Sequence, residues 1–296
     1  MKKIIIYCFS GTGNTMRAAN AFAKGVSECG AECVVHPIRT DTPFLPPDGY
    51  DFVGFAYPVH GFNAPTPVLR YAETMPCTNL PFFVIKTSGE GLKLNDASSR
   101  RLVRILRDKG YGFQAEFHYL MPYNIIFRHT ERMAYEMDRT MQSLAALDAE
   151  ALLNGSCKPP VDSVAARGVA KVISIEHLAM PIIGKSFRID PSRCIGCGKC
   201  QKICPCGNIR MEGGMPRFGG ACVGCMGCAF GCPRDAVSIG VLNGWKVNGA
   251  YRFQAMPEYD GTELQLPRYC NRSYRRYFEH AARRIKKECQ TDAERV

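Results

Sequence analysis

Apolar and polar positions follow two periods over the first half of the chain. Lys2–Phe9 holds a continuous apolar run, the pattern of a strand buried on both faces of a parallel sheet. Met16–Cys29 follows with apolar residues at helical spacing, and Gly30 ends it. Cys33–Ile38, Phe52–Ala56, Leu80–Lys86 and Ala115–Met121 read as four further strands. Thr66–Met75, Asp96–Lys109 and Arg132–Leu153 read as the helices between and after them. Strand–helix alternation at these lengths predicts an α/β, doubly wound parallel sheet spanning residues 1–153.

The pattern then breaks. Asn154–Pro160 (NGSCKPP) carries Asn-Gly and Pro-Pro and predicts a linker, with residues 154–186 partly helical. From Phe187 to Gly240 short segments are crowded with cysteine and glycine, predicting a small second domain over 187–240. An internal repeat sets Cys194–Ile209 against Cys222–Val237 at an offset of 28. Residues 241–296 form a C-terminal extension with the only tryptophan, Trp245, and a basic helical pattern. In Tyr274–Cys289, Tyr274, Tyr277, Phe278, Ala281 and Ile285 share one helical face. Arg275, Arg276, Arg283, Arg284, Lys286 and Lys287 populate much of the rest. The extension therefore predicts an amphipathic helix packed on its own protein, or docked to an acidic partner or an anionic membrane surface.

Length agrees with two domains: 296 residues at roughly 100–200 per domain. With 46% hydrophobic and 22% charged residues, a packed core is expected and global disorder is excluded. No stretch approaches ~18 uninterrupted apolar residues, so no transmembrane helix is predicted. The start, MKKIIIYCFSGTGNT, mimics a secretory signal but breaks into Ser-Gly-Thr-Gly after Phe9, short of an apolar core of ~7–15 residues. Sixteen cysteines, eight of them in two runs between residues 194 and 232, fit metal ligation in a reducing compartment better than a disulfide framework. A cytoplasmic protein is the expectation.

The net charge of +11 is uneven. Residues 1–153 carry 16 basic and 15 acidic side chains, residues 154–245 carry 11 and 5, and residues 246–296 carry 11 and 7. Nucleic acid is one reading of a basic half, a solvated basic face another, and an acidic protein partner a third. Nucleic acid is not expected.

Ser10-Gly11-Thr12-Gly13-Asn14-Thr15 lies between the first strand and the first helix. A helix N-terminus there offers backbone N–H groups to an anion, and Ser10, Thr12 and Thr15 add hydroxyl donors. The third glycine of the dinucleotide fingerprint is replaced by Met16, and the Gly-Lys-Ser/Thr of a Walker loop is absent. S-x-T-G-N-T resembles instead the FMN phosphate loop of flavodoxins. In such a sheet the ligand lies beyond the strand carboxyl ends at the switch point. The ring would then be flanked by Tyr57, Pro58, Val59, His60, Gly61 and Phe62 after the third strand, and by Thr87, Ser88 and Gly89 after the fourth. Tyr57, His60 and Phe62 are candidates to stack on it; Gly61 and Gly89 would admit backbone amides to its polar edge.

Cys194-x-x-Cys197-x-x-Cys200-x-x-x-Cys204-Pro205 is the ligand run of bacterial two-cluster ferredoxins. It recurs as Cys222-x-x-Cys225-x-x-Cys228-x-x-x-Cys232-Pro233. The fourth cysteine of such a run ligates the other cluster. One [4Fe–4S] cluster is therefore expected on Cys194, Cys197, Cys200 and Cys232, and a second on Cys204, Cys222, Cys225 and Cys228. Gly196, Gly198, Gly224 and Gly227 would permit close backbone approach. Zinc is the alternative, but its sites pair C-x-x-C motifs across a long gap. Cys206 is not expected to be a ligand. Cys8, Cys29, Cys33, Cys77, Cys157, Cys270 and Cys289 are expected to be buried or reduced thiols.

Taken together, the chain resembles fused proteins in which a flavodoxin-like domain precedes a ferredoxin with two [4Fe–4S] clusters. The resemblance covers 1–153 and 187–240. It implies electron carriers or small oxidoreductases of anaerobes, with FMN and two clusters as cofactors and a redox protein as partner. Flavodoxins and free ferredoxins are strongly acidic, whereas this cysteine-rich region is basic, which changes the expected partner and raises the cluster potentials. Electron transfer between FMN and the clusters is the leading expectation. The alternative is an FMN-dependent reductase of a small molecule fed by the clusters, with His60 or Tyr57 as proton donor. No catalytic residue is assigned, and neither donor, acceptor nor oligomeric state is legible.

Overall fold

The computed structural model describes residues 1–157, 175–254 and 271–295. The first half forms β1 (Lys3–Cys8), α1 (Asn14–Glu28), β2 (Glu32–Pro37), β3 (Phe52–Pro58), α2 (Thr66–Thr74), β4 (Pro81–Ser88), α3 (Arg100–Asp108), β5 (Gly112–Leu120) and α4 (Glu131–Leu153). All five strands pair in parallel in the order β2-β1-β3-β4-β5. That is the flavodoxin-like order, which reverses direction between β1 and β3 and so opens a crevice at their carboxyl ends.

Burial on both sheet faces explains the near-continuous apolar strands. On one face Ile4, Ile6, Phe83, Ile85 and Phe117 pack against Ala18, Phe22 and Val26 of α1 and Met141, Leu144 and Ala145 of α4. On the other, Ile5, Tyr7, Val53, Phe55, Phe82 and Val84 pack against Val68 and Leu69 of α2 and Leu102 and Leu106 of α3. One polar pair interrupts the second face: Lys86 and Glu116 form a buried ion pair between β4 and β5, and the Lys86 ammonium also donates to the Asn95 carbonyl at 2.8 Å.

The second half adds α5 (Ile175–Lys185), β6 (Arg188–Ile189), α6 (Lys199–Ile203), β7 (Ile209–Glu212), β8 (Met215–Phe218), α7 (Gly227–Phe230), β9 (Val237–Ser238) and α8 (Asn271–Arg295). β7 pairs with β8, and β6 with β9, both antiparallel. The sequence repeat is thus a structural one with its strands exchanged: the opening strand of the first unit pairs with the closing strand of the second. Left-handed backbone recurs at the same offset, at Gly196 and Gly224 and at Gly198 and Met226 (φ 65°, 69°, 67° and 59°). Met226 takes this conformation with a side chain, buried in a small core with Met180, Phe187 and Ile239.

The C-terminal helix packs on its own protein. Tyr274 and Ala281 are fully buried, and Tyr277, Phe278 and Ile285 lie against the same cores. Arg284 departs from the expected solvated basic face. It turns inward to Asp148, which also accepts from the Tyr119 hydroxyl at 2.9 Å. The expected linker and partly helical segment fall on described residues only at 154–157 and 175–186. Residues 158–174 and 255–270, with Cys270 and the Cys289 side chain, lie outside the described residues. Among the described residues no helix is long and apolar enough to cross a membrane.

Candidate functional site: two cysteine groups and a phosphate-type loop

The loop after β1 takes the form the sequence predicts. Gly13 is left-handed (φ 96°) and α1 begins at Asn14, so the amides of its first turn point out of the helix unpaired by it. Gly13 donates its amide to Ser10 Oγ at 3.2 Å. Thr15 is buried, its hydroxyl 2.7 Å from that of Thr87, and Asn14 donates to the Pro122 carbonyl at 2.7 Å. Ser10, Gly11, Thr12 and Asn14 are half-buried and Gly13 exposed. These groups fit an anion at the helix N-terminus.

The expected ring contacts divide. Pro58, Val59, His60, Gly61 and Phe62 remain half-exposed at the end of β3, with Gly61 and Phe62 in a left-handed turn closed by paired His60–Asn63 backbone bonds. Tyr57 is placed otherwise. Strand alternation turns its ring into the second core, where it is fully buried, and burial pushes its hydroxyl well above the ordinary tyrosine range. A buried phenol holding its proton that firmly suits neither ring stacking nor proton donation. Thr87 is committed to Thr15, and Ser88 Oγ donates to the Glu90 carbonyl at 2.6 Å while lying 2.7 Å from His118 Nε2. The bare face of Gly89 is taken as well, because a Cβ there would lie 2.3 Å from the Tyr123 ring. The residues thus fit the phosphate end of FMN, and at the ring end leave Pro58 to Phe62.

Tyr123 belongs to a strap across this end of the sheet. His129 Nδ1 accepts the Tyr123 amide at 3.2 Å, and the Tyr251 hydroxyl donates to the Tyr123 carbonyl at 2.8 Å. His129 Nε2 lies 2.9 Å from the hydroxyl of Tyr274, which itself donates to the Gly89 carbonyl. These partners make His129 neutral, with its proton on Nε2. Burial lowers its pKa from 6.5 to about 4. The unfolded chain therefore takes up a proton that the folded one refuses, and stability is lost as pH falls from about 6.5 towards 4. About 2 kcal/mol should go between pH 7 and 5. Denaturant titrations at the two pH values check this: His129→Gln, which keeps both bonds without titrating, should lose correspondingly less.

The cysteines form two groups, each completed from the other run. Cys194, Cys197, Cys200 and Cys232 line one cavity, together with Ile189, Ile195 and Lys199. Cys200 feels the charges of Cys197 and Cys232. Cys204 instead neighbours Cys222, Cys225 and Cys228, whose thiols are raised first by burial and also by the charge of Cys204. The fourth sulfur of each run accepts a backbone N–H four residues on: Asn208 to Cys204 at 3.3 Å, Ala236 to Cys232 at 3.2 Å. Such bonds stabilise thiolate and pin the side chain. Among the described residues no three His, Cys, Asp or Glu side chains are grouped for a single ion. Cys206 packs beside Cys225 and Val223 against the second core. Of the remaining thiols, Cys8 is buried, Cys33 and Cys157 are partly so, and Cys29 and Cys77 are exposed, all of them free.

The second group rests on the phosphate-type loop. A Cβ on Gly11 would lie 2.5 Å from Cys225 Cβ, and one on Gly227 would lie 2.4 Å from the Gly11 carbonyl oxygen. Two glycines thus let two backbones touch, and Gly227 serves this contact rather than a left-handed turn. Asn124 bridges them, donating to Thr12 Oγ1 at 3.2 Å and to the Cys225 carbonyl at 3.4 Å.

Residues 186–209, which contain the whole first cysteine run, match the family described as "4Fe-4S binding domain". With the β2-β1-β3-β4-β5 sheet already in hand, this decides the architecture. The chain joins a flavodoxin-like layer to a 4Fe–4S-binding domain. No curated protein matches it in sequence. Among solved structures, it is similar to a Streptococcus pneumonia TIGR4 flavodoxin (15% identity, 50% of this chain and 98% of that one, TM-score 0.36). It is likewise similar to Flavodoxin 1 from Bacillus cereus (16%, 50% and 98%, 0.36) and an azoreductase from Bacillus anthracis (11%, 50% and 99%, 0.37).

Several residues that hold the 4Fe–4S-binding domain on the layer carry no sequence signal. Arg39 donates to the carbonyls of Lys202 (2.8 Å) and Ile203 (3.4 Å) at the end of α6, and the Thr40 amide donates to Pro205 at 2.9 Å. α5 closes the second group from outside: a Cβ on Gly184 would lie 2.1 Å from Cys222 Cβ, and one on Gly224 2.8 Å from Met180 Cε. Their partners lie far away in sequence, so no local pattern marks them.

Proposed function

We propose that the chain is an electron-transfer iron–sulfur flavoprotein, passing electrons between FMN, two [4Fe–4S] clusters and a redox protein partner. Residues 1–153 would be the FMN domain and 187–240 the cluster domain, joined by 154–186 and followed by the extension at 241–296. The observation that carries this reading is the contact between Gly11 and Cys225, which sets a cysteine group directly on the phosphate-type loop. FMN, when bound, exchanges two electrons and releases them singly, whereas a cubane handles one, so the pairing converts one kind of transfer into the other.

The chain's own residues bind and separate. The α1 N-terminus with Ser10, Thr12 and Thr15 would hold the phosphate; Pro58, Val59, His60 and Gly61 remain for the ring. Cys194, Cys197, Cys200 and Cys232 would hold one cluster, and Cys204, Cys222, Cys225 and Cys228 the other. Burial of the second group keeps water from it, and iron binding there must release thiol protons, one of them on Cys225 with its pKa pushed up to about 12. Fusion replaces diffusional encounter by a fixed contact.

Flavin, iron and acid-labile sulfide measured on protein purified without oxygen test this. About one FMN with about eight iron and eight sulfide per chain is the expected result. Iron and sulfide without flavin, even after FMN is added, would remove the flavin half of the proposal. About four iron would remove the second cluster.

A further inference from the structure

The two cysteine groups meet opposite surroundings. The second is enclosed between Gly11, Met180 and Gly184. The first opens outward: Cys197 is exposed and Ile195, between Cys194 and Gly196, is 61% exposed. The residues lining its cavity include Lys199 and Arg234, both exposed, and no aspartate or glutamate. Exposed Lys202 and Arg210 lie nearby in sequence on α6 and β7. The carboxylates next in sequence to lining residues are already engaged: Asp235 with Arg193 (3.2 Å) and Lys246 (2.8 Å), Asp190 with the Ser192 amide (2.9 Å) and hydroxyl (2.6 Å), and Glu212 with Arg217 (3.8 Å). Among the described residues neither Lys199 nor Arg234 forms an ion pair, so their charge is available to a partner.

We infer that this face, with apolar Ile195 at its centre and Lys199 and Arg234 on its rim, docks an acidic one-electron carrier protein. The inference rests on the cluster assignment proposed above. Electron transfer weakens steeply with distance, and the first group is the one a partner can approach closely. In each encounter one electron leaves one protein and enters the other; no bond or proton moves with it. Electrons entering here reach the enclosed second group and then the flavodoxin-like layer. Another basic surface, on α8, offers charge without a cysteine group: that helix packs on the layer, its exposed Arg283 and Lys286 facing solvent.

The test uses the full chain with its clusters and a reduced acidic [2Fe–2S] ferredoxin as probe, mixed rapidly without oxygen while cluster absorbance is followed. Rates should fall as salt rises. Lys199→Glu with Arg234→Glu should slow transfer at low salt by tenfold or more, the deficit shrinking in high salt. Lys199→Gln with Arg234→Gln should fall between, which guards against misfolding of the charge-reversed form. Arg283→Glu with Lys286→Glu makes the same net charge change elsewhere and should stay within twofold of the parent. A parent rate independent of salt, no slowing in the double variants, or equal slowing by the α8 pair would overturn the inference. Iron content and reduction by dithionite, measured on each protein first, separate this from failure of the cluster assignment: a parent that lacks iron fails before any partner is added.

Discussion

Replacing Cys232 with serine is expected to empty the cluster site of the first cysteine run and leave that of its own run filled. Cys232 lies with Cys194, Cys197 and Cys200 around one cavity, while Cys204 sits with Cys222, Cys225 and Cys228. Iron should fall from about eight to about four per chain. The decisive measurement is a pair of double variants. Cys232→Ser with Cys197→Ser strikes one site twice and should keep about four iron, because effects within one unit do not add. Cys232→Ser with Cys225→Ser strikes both sites and should lose nearly all. If each run instead served its own cluster, the two outcomes would be exchanged.

Gly11→Ala is expected to loosen the 4Fe–4S-binding domain from the layer. The added Cβ would meet Cys225 Cβ at 2.5 Å and its carbonyl oxygen at 2.8 Å. Neither is the far end of a side chain, so no rotamer change relieves the clash and the backbones must part. Overpacking of this kind costs about 1–3 kcal/mol, and Asn124, which spans Thr12 and Cys225, loses one of its bonds. The melting temperature should drop by roughly 5 °C or more. Chelators should also reach the second group's iron faster. Gly13→Ala is the comparison: it too adds a methyl, at φ 96° but with nothing within 4 Å, so it adds local strain of about 1 kcal/mol without touching Cys225. If the two variants release iron at the same rate, the contact does not govern the docking.

The grouping behind the first prediction is already expected from the cysteine spacing, whereas the contact behind the second is not displayed by the sequence, although the elements that make it are legible there. All five strands and the four long helices of the first half follow from apolar periodicity. Each is a local property of a few consecutive residues, and the parallel sheet follows from their alternation. The loop at Ser10–Thr15 and the two cysteine runs are equally local, since binding an anion or wrapping a cluster corner needs fixed spacing over a few residues. Tyr57 shows the limit: its place after a strand suggested a ligand contact, and the side-chain alternation that buries it under α3 depends on the strand's last residue. α5 shows another: Met180 and Gly184 sit in an unpatterned segment and matter only because of what lies opposite.

From residue order alone come the α/β layer, the phosphate-type loop, the repeated cysteine spacing and the amphipathic C-terminal helix, all set by short-range sterics and burial. The tertiary structure alone decided that Arg284 turns inward to Asp148, and that one cysteine group is enclosed on Gly11 while the other faces solvent. Those outcomes join residues tens to hundreds of positions apart. They depend on how packed surfaces meet, which no local pattern encodes.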